Sequence, residues 1–275
     1  MRLKRIHLFE FHDLPWFPDT FRDSLTEWLR VLWSRVDGYK VIAAMLRASL
    51  HDSHAVQIVD LCSGAGGPLP GIQREFEAAG LSFSAIVSDK FPNVASLTEL
   101  KNNSGGAIDV RFTSVDATAV PCDLPGLRTL FNSFHHFKPT QARQILRNAY
   151  DARQPIGIFE IPNRTFAGVS LSFIATFAGV IALTPSMRPI RPLWWVFTYL
   201  LPLIPLMVAW DGWVSHLRAY TPDELLQMTG NLSDSYRWEV KSIKVQNGQF
   251  TLTCLLGLPL EIGSDRICGG ERFVV

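Results

Sequence analysis

The chain has 275 residues and a mass of 30.8 kDa, enough to bury the core of one large domain or of one domain with an insertion. Its formal net charge of +1 gives no basic field that could neutralise a run of phosphates, so no nucleic-acid partner is expected. The four cysteines (Cys62, Cys122, Cys254 and Cys268) include no CxxC pair, which excludes a zinc finger or a secreted disulfide framework and favours a cytoplasmic protein.

Residues 1–55 predict an N-terminal helical cap. The basic N-terminus reaches Glu10 before any long apolar run, so no signal peptide is expected. Asp19 is a candidate helix N-cap, and apolar residues follow it at helical spacing: Phe21, Leu25, Trp28, Leu29 and Leu32. A second helix is predicted over residues 39–50.

Short apolar strands alternate with helical stretches from residue 56 onward: VQIVDL, FSAIVSD, IDVRFTSVD, LRTLFNSF and IGIFEIP. This rhythm predicts an α/β fold with a mainly parallel sheet. Near the C-terminus, RWEVKSIKVQNGQFTLTCLLGL predicts two strands around an Asn247-Gly248 turn, which adds an antiparallel hairpin. The predicted core therefore covers residues 56–165 and 216–275.

The first strand runs into a glycine-rich loop, IVDLCSGAGGPLP, at residues 58–70. Ligands bind at such strand ends in α/β sheets, and Gly64, Gly66 and Gly67 let a backbone approach them closely. A dinucleotide fingerprint would need a sixth-position glycine where Leu69 stands, and no GK[ST] follows for a P-loop. The loop therefore weakens the case for a nicotinamide oxidoreductase, and it is not a P-loop.

Two further acids follow later strands. Asp89 closes the second strand and could accept both hydroxyls of a ribose, while Asp116 closes the third and could accept from an adenine amine. This series of an acid, a glycine loop and two acids at successive strand ends resembles the class I S-adenosylmethionine (SAM)-dependent methyltransferases. The resemblance implies a Rossmann-like seven-stranded sheet and SAM as the cofactor.

The resemblance also implies a set of cofactor-binding residues. The first motif, around the methionine end of SAM, corresponds to Asp60, Cys62, Ser63, Gly64 and Gly66; the ribose site corresponds to Asp89 with Lys90, the adenine site to Asp116 with Ala117, and the end of the fourth strand to Asn132 and Ser133. Cys62 departs from the family pattern because it stands where the family has its first glycine.

FNSFHHF, at residues 131–137, supplies the candidate catalytic residues His135 and His136. His135 resembles the general-base histidine of small-molecule O-methyltransferases, and an imidazole with an ordinary pKa near 6.5 suits that task. Packing or helix capping is the alternative role. The Asn/Asp-Pro-Pro motif that amino methyltransferases carry after the fourth strand is missing. C5-pyrimidine methyltransferases have a Pro-Cys nucleophile at the same point, whereas Pro121-Cys122 precedes the strand. We therefore interpret Cys122 as a small buried hydrophobe. No metal site is expected, because the seven histidines are scattered along the chain.

Residues 166–185 and 192–210 contain no charged residue and predict a hydrophobic helical hairpin within residues 166–215. Small residues (Gly168, Ser172, Ala175, Gly179 and Ala182) share one helix face, which would let another helix approach. Three alternatives stay open: a lid over an apolar pocket, a hairpin dipping into one leaflet, and a full span that Arg188, Arg191, Pro202 and Pro205 oppose.

The hairpin makes a lipophilic acceptor the favoured substrate, since Trp194, Trp195, Phe197 and Tyr199 would suit a charged one poorly. Asp211, Trp16, His12 and Asp13 are candidates for the acceptor pocket, whereas Thr221 and Glu224 form a capping-box pattern with a structural role.

The prediction is methyl transfer from SAM to a hydroxyl of a lipophilic small molecule, by a cytoplasmic protein that is peripheral to a membrane or free of it. The alternatives are a thiol or carbon acceptor, a non-catalytic membrane-associated SAM-binding protein, and a nicotinamide oxidoreductase. The sequence specifies no oligomeric state.

Overall fold

A computed structural model of the chain describes residues 3–232, 234–245 and 248–260. Within them one seven-stranded sheet runs in the order β3-β2-β1-β4-β5-β7-β6. The strands are β1 (Ile58–Asp60), β2 (Ala85–Ser88), β3 (Ile108–Arg111), β4 (Leu127–Phe131), β5 (Ile156–Glu160), β6 (Tyr236–Val245) and β7 (Phe250–Pro259). The first five pair in parallel, and β7 is antiparallel to both β5 and β6. The predicted α/β fold class is therefore confirmed, while Asn247 of the hairpin turn and Cys268 lie outside the described residues.

Helices cover both faces of the sheet because its central strands are buried on both sides. Every residue of β1, β4 and β5 is buried, as expected for parallel strands between helical layers. The helices are α1 (Asp19–Arg35), α2 (Gly38–Ser53), α3 (Leu69–Ala78), α4 (Val94–Asn103), α5 (Pro139–Asp151) and α9 (Pro222–Thr229). Ile42, Ile72 and Leu97 of α2, α3 and α4 pack in one core, and Ile145 and Leu225 of α5 and α9 pack in the other.

The predicted hydrophobic hairpin consists of α6 (Phe166–Leu183), α7 (Pro192–Trp195) with a π-helical turn (Val196–Leu200), and α8 (Leu203–Arg218). The second arm bends by 79° at Leu201–Pro202, where a proline interrupts the helical hydrogen bonds. By length and composition the segment Phe166–Ser186 is sufficient to cross a membrane, and the bent pair would be a second span if counted as one.

The hairpin folds back onto α1. Trp28 of α1 packs with Val180, Ile204 and Val208 of α6 and α8. The connection between α6 and α7 is tied to α1 by an ion pair between Arg191 and Asp23 at 2.7 Å, among other contacts. The tip of the hairpin therefore packs against α1.

Local details differ from the sequence predictions at a few positions. Asp19 is the first helical residue of α1, and Pro18 precedes it as the N-cap. Strand β3 ends at Arg111, so Asp116 lies in the loop beyond it and does not close the strand. Cys122 is exposed, so its interpretation as a buried hydrophobe is wrong. The capping box of Thr221 and Glu224 is confirmed at the start of α9.

Candidate active site

The loop after β1 turns through left-handed backbone conformations. Cys62 has a φ of 57°, and Gly64 and Gly66 have φ values of 54° and 88°. A Cβ at Gly66 would collide with the side chain of Leu100, so this position also needs glycine for space. Cys62 adopts the conformation that a glycine would take, at a strain of about 1 kcal/mol or more. Cys62 therefore takes part in the turn although it carries a side chain.

Asp60 anchors this loop from the end of β1. Its buried Oδ1 accepts a hydrogen bond from Thr129 Oγ1 at 2.8 Å, and Ser63 Oγ donates to the Asp60 carbonyl at 3.0 Å. Burial raises the pKa of Asp60 to about 7, although the hydrogen bonds of Ser63 and Thr129 oppose the shift. The carboxyl is therefore a part of the loop's internal support.

Asp89 faces the same loop from the end of β2. Its Oδ2 accepts from the backbone N–H of Gly64 at 3.0 Å, and its Oδ1 accepts from the N–H of Phe91 at 2.8 Å. A carboxylate offers about four acceptor positions. The two that remain suit the two hydroxyls of a ribose.

Asp116 is engaged more fully. Its Oδ1 accepts from the N–H and hydroxyl of Thr118 at 2.9 and 2.7 Å, and its Oδ2 accepts from Lys90 Nζ at 2.8 Å. Burial would raise the pKa of Asp116, but the bonds from Lys90 and Thr118 outweigh it and lower that pKa to about 2. One acceptor position on Oδ2 remains for an exocyclic amine, next to the buried Ala117.

Asp60, Asp89 and Asp116 all lie close enough to Cys62 to act on its thiol. Burial raises the pKa of Cys62 well above its ordinary value, and the charges of Asp89, Asp60 and Asp116 raise it further. Lys90 acts in the opposite direction. The residues predicted to bind the cofactor are thus brought together.

Asn132 and Ser133 follow β4 at the same edge of the sheet. Asn132 has a left-handed φ of 48°, and its Oδ1 accepts from the N–H of Ile161 at 2.8 Å. The buried hydroxyl of Ser133 has no hydrogen-bond partner among the described residues. Such a group is costly unless a ligand or water satisfies it. Free acceptor positions on two carboxylates, this hydroxyl and a turn that excludes a Cβ together fit an adenosyl cofactor.

A cavity of about 680 Å³ lies between α1, α6, α8 and the ends of β4 and β5. Its apolar wall comes from α1 and α6: Leu25, Trp28, Leu29, Leu32, Ala167, Leu171 and Ala175. The small residues Gly168, Ser172, Ala175 and Gly179 also line it, so they make room for the cavity as well as for packing against α8. Asn132 connects this cavity with the cofactor-binding residues.

The end of the cavity that includes Asn132 is polar and contains four of the seven histidines. Its lining residues there are Glu10, His12, Asn132, His135, His136, Asp211, Ser215 and His216. The expectation that the histidines are scattered holds for the sequence, but the fold collects His12, His135, His136 and His216 at one place. This convergence was not predicted.

His135 lies in a 3-10 turn (Phe134–His136) directly after β4, and its residue surface is only 2% exposed. Its Nδ1 lies 2.5 Å from Oε2 of Glu160, whose Oε1 accepts from the Phe134 N–H at 2.7 Å. The other ring nitrogen, Nε2, is buried without a hydrogen-bond partner in the described part of the chain. Glu160 therefore fixes the ring, and Nε2 is left for a ligand.

His136 is part of an ionic network with the N-terminal segment. Its Nδ1 lies 2.8 Å from Asp13 Oδ1, and its Nε2 lies 3.5 Å from Glu10 Oε2. Burial alone would lower the pKa of His136, but Glu10 and Asp13 raise it to about 9. Arg218 completes the network, with its Nη1 2.6 Å from Asp13 Oδ2. His136 is therefore cationic at neutral pH when nothing else is bound.

Asp211 and His12 line the cavity as predicted. Asp211 accepts the backbone N–H groups of Phe11 and His12 at 2.8 and 3.1 Å, and burial followed by the charge of Glu10 raises its pKa to about 7. Burial lowers the pKa of His12 to about 4. Near pH 7, His12 is thus predominantly neutral and Asp211 is partly neutral, which suits a pocket for an uncharged molecule.

Other pocket predictions are wrong. Trp16 is 70% exposed and does not line the cavity, and Asp13 acts through His136. None of the four hairpin aromatics at positions 194, 195, 197 and 199 is among the described lining residues. Trp194 instead donates a hydrogen bond to the Thr20 carbonyl at 3.0 Å and packs on α1.

Sequence reasoning missed Glu10 and Glu160. Glu160 carries the same signal that identified Asp60 and Asp89, an acid at the end of a buried strand, and could have been found by it. Glu10 carries no such signal, because only the fold brings it next to His135 and His136. Its residue surface is 1% exposed.

No family model matches the sequence, and no curated protein matches it. Solved structures do. The methyltransferase domain of bacterial CtHen1-CN is 10% identical, with a TM-score of 0.44 over 78% of this chain and 96% of its own. A SAM-dependent methyltransferase from Aquifex aeolicus is 12% identical, with a TM-score of 0.43 over 78% of this chain and 87% of its own.

The O-methyltransferase NcsB1 from neocarzinostatin biosynthesis, in complex with SAM and 2-hydroxy-5-methyl naphthoic acid, is 14% identical with a TM-score of 0.46. The match covers 81% of this chain and 57% of NcsB1, so this chain spans little more than half of that protein. The strand order, with one antiparallel strand inserted beside β5, decides the fold class. This chain has a Rossmann-like α/β fold with a mainly parallel sheet and an antiparallel C-terminal hairpin.

Proposed function

We propose that this protein transfers a methyl group from SAM to a hydroxyl of a lipophilic small molecule. The observation that carries the proposal is the cavity, which is apolar along α1 and α6 and is also lined by His135, whose buried Nε2 has no hydrogen-bond partner among the described residues. It lies next to the residues that fit an adenosyl cofactor, and Asn132 belongs to both. An acceptor in the cavity would therefore have its polar end beside the cofactor.

The cofactor would be held by the loop of Cys62, Ser63, Gly64 and Gly66 over Asp60, by Asp89 and Lys90, by Asp116 and Ala117, and by Asn132 and Ser133. When bound, SAM supplies an activated methyl group on a sulfonium. The protein then has to align the acceptor with it and keep water out, and such alignment alone contributes several kcal/mol, up to about 7–11 in ideal cases.

His135 is the residue that accepts the hydroxyl proton in this proposal. His135 lines the cavity, and Glu160 on Nδ1 holds the ring and stabilises the imidazolium that forms. His136 is less suited to the task because its pKa of about 9 leaves it protonated near pH 7. His136 instead helps to hold the N-terminal segment over the cavity.

The acceptor is lipophilic and uncharged or weakly polar. Leu25, Trp28 and Leu29 surround most of its length, and burial of apolar surface contributes about 25 cal/mol per Å². Glu10 and Glu160 at the polar end would repel an acceptor carboxylate. This argument supports an alcohol or phenol, and the alternative thiol or carbon acceptors are distinguished by the product.

The acceptor would enter from a membrane surface, which α6 and the bent helix contact without crossing. Large apolar side chains are exposed there, including Phe166 at 69%, Ile174 at 70% and Leu200 at 75%. A contiguous exposed apolar patch is typical of membrane or protein contact sites. We therefore place the protein in the cytoplasm, peripheral to a membrane through residues 166–210.

The membrane contact is tested by co-sedimentation with lipid vesicles. Ile174→Glu together with Leu200→Glu should abolish sedimentation with the vesicles. Leu81→Glu, on an exposed apolar residue remote from the hairpin, is the matched control and should not change it. Equal sedimentation of all three proteins would exclude contact through this hairpin.

The activity is tested by incubating the protein with methyl-labelled SAM and fractionated lipid extract, followed by mass spectrometry of the labelled product. An O-methylated apolar product supports the proposal. Binding of S-adenosylhomocysteine without any labelled product would favour the non-catalytic SAM-binding alternative, and no binding by a folded sample would overturn the proposal altogether.

Two substitutions test the role of the histidine. His135→Gln should retain affinity for S-adenosylhomocysteine and lose most turnover, by about 10²–10⁴-fold. Glu160→Gln should lower turnover less and shift its pH profile, because the carboxylate acts through His135. Unchanged turnover in His135→Gln would contradict a catalytic role.

A further inference from the structure

Three side chains at the polar end of the cavity have the arrangement of a metal site. Glu10, His135 and His136 each offer one ligand atom, and these atoms all lie within 4.8 Å of one another. His136 Nε2 is 3.5 Å from Glu10 Oε2, and His135 Nε2 is 4.0 Å from Glu10 Oε1. Two ligands of a tetrahedral zinc ion, each about 2.0–2.1 Å from it, are about 3.4 Å apart. The observed separations are close to this value.

The outer contacts of the two histidines support the same interpretation. Glu160 binds Nδ1 of His135 at 2.5 Å and Asp13 binds Nδ1 of His136 at 2.8 Å, so both rings direct Nε2 toward Glu10. A carboxylate on the far nitrogen is the usual support of a metal-binding histidine, because it fixes the ring and the tautomer.

Glu10 is oriented in a similar way. Arg218 Nη1 lies 3.2 Å and Ser215 Oγ 3.3 Å from Glu10 Oε1. Oε2 is the oxygen nearer to His136, whereas Arg218 and Ser215 engage Oε1, the oxygen nearer to His135. Glu10 and Asp211 line the cavity, and Asp13 and Glu160 contact the Nδ1 atoms of the two histidines.

The independent observation is the bare ring nitrogen of His135. The residue is 98% buried, and its Nε2 has no hydrogen-bond partner among the described residues although it points at the cluster. An unsatisfied buried nitrogen costs on the order of a lost hydrogen bond, and a ligand there would remove this cost.

We propose that Glu10, His135 and His136 bind one divalent transition-metal ion, with an open coordination position facing the cavity. Two imidazoles favour Zn²⁺, Fe²⁺ or Co²⁺ over Mg²⁺, Ca²⁺ or Mn²⁺, and a His₂Glu set with a free position is typical of catalytic zinc. The sequence analysis expected no metal because the histidines are scattered, and Glu10 lies more than a hundred positions from His135 and His136.

This inference rests on the proposed function only for the occupant of the open position, which would be the hydroxyl of the acceptor. In the protein without metal, Nε2 of His135 is the proton acceptor described above. In the protein with metal, that nitrogen is a ligand, and the acceptor oxygen approaches the ion instead. A chelator should therefore leave methylation unchanged if the protein works without metal, and it should abolish methylation if the protein works with metal.

The test measures metal binding directly, without SAM or acceptor. The purified full chain is titrated at about pH 8 with Zn²⁺ by calorimetry and with Co²⁺ by visible absorption, since ligands must lose their protons to bind. We expect one site per chain and the absorption of four- or five-coordinate Co²⁺. Glu10→Gln and His136→Gln should each weaken binding at least about 100-fold, whereas His216→Gln, a histidine of the same cavity outside the cluster, should not.

Two measurements guard against variants that fail to fold. Asp13→Asn keeps all three ligands but loses the support of His136, and it should weaken binding by about 10–100-fold. The Co²⁺ spectrum of the unaltered chain is informative without any variant. Absence of binding to that chain, or binding that survives both Glu10→Gln and His136→Gln, would overturn the proposal. If methylation continues in the presence of a chelator, the proposed function stands and the metal has no part in the reaction.

Discussion

Asp89 offers the sharpest test of the cofactor site. Its carboxylate supports the loop through the N–H groups of Gly64 and Phe91 and has two further acceptor positions for the ribose. Asp89→Asn keeps one acceptor oxygen and replaces the other by an amide nitrogen. The variant should therefore lose one of two hydrogen bonds to the ribose and one bond inside the loop.

The magnitude follows from the charge of the acceptor. A hydrogen bond to a charged group contributes about 1.5–3 kcal/mol, so the dissociation constant for S-adenosylhomocysteine should rise about 10- to 100-fold. The lost bond inside the loop involves the same carboxylate and should lower the free energy of unfolding by a similar amount, about 1.5–3 kcal/mol. The variant should therefore lose both affinity and stability, and its affinity is compared only under conditions in which it is folded.

Isothermal titration with S-adenosylhomocysteine measures the affinity, and urea unfolding measures the stability. Asp109→Asn is the matched control, because Asp109 is exposed on β3 and forms an ion pair with Lys101 at 2.6 Å away from the glycine loop. The reasoning is refuted if folded Asp89→Asn binds as tightly as the unaltered chain, or if Asp109→Asn weakens binding equally.

Three further predictions address the cavity, the loop support and the fold. Ala175→Phe should fill the cavity and raise KM for the acceptor without changing cofactor affinity, whereas Ile174→Phe on the exposed face of α6 should change neither; steady-state kinetics and titration check both. Asp60 has a pKa raised from 3.8 to about 7, so its contribution to stability is present below pH 3.8 and is lost as pH rises through about 7. Asp60→Asn lacks this loss. The difference in unfolding free energy between the variant and the unaltered chain should therefore shift in favour of the variant by up to about 4 kcal/mol between pH 4 and pH 7. A difference in urea unfolding that does not depend on pH would contradict the buried carboxyl. Thr221→Ala removes the capping box of α9 and should lower the unfolding free energy by about 1 kcal/mol with S-adenosylhomocysteine affinity intact.

Local chemistry predicted much of this protein correctly. Buried aliphatic runs predicted the strands, and Asn247-Gly248 predicted the hairpin that follows β6, although the turn itself lies outside the described residues. The glycine loop and Asp89 could be placed because a strand end and the turn after it are defined by a few consecutive residues. The helical hairpin was equally visible in its long uncharged runs.

Burial and distant contacts were less predictable. Cys122 is exposed and Trp16 does not reach the cavity, because the sequence pattern near each residue does not state which neighbours pack on it. Trp194 has an apolar side chain that suits a pocket wall, but it packs against α1.

What the sequence alone determined is the order of the strands along the chain, the glycine turn and the acids that flank it, because each depends on residues close to one another in the chain. The tertiary structure decided the acceptor cavity and its polar end, where Glu10 from the N-terminal segment meets His135 after β4 and Arg218 at the end of α8. These residues lie more than a hundred positions from Glu10 in sequence, and only the packing of α1 and the hairpin onto the sheet brings their charges within a few ångströms.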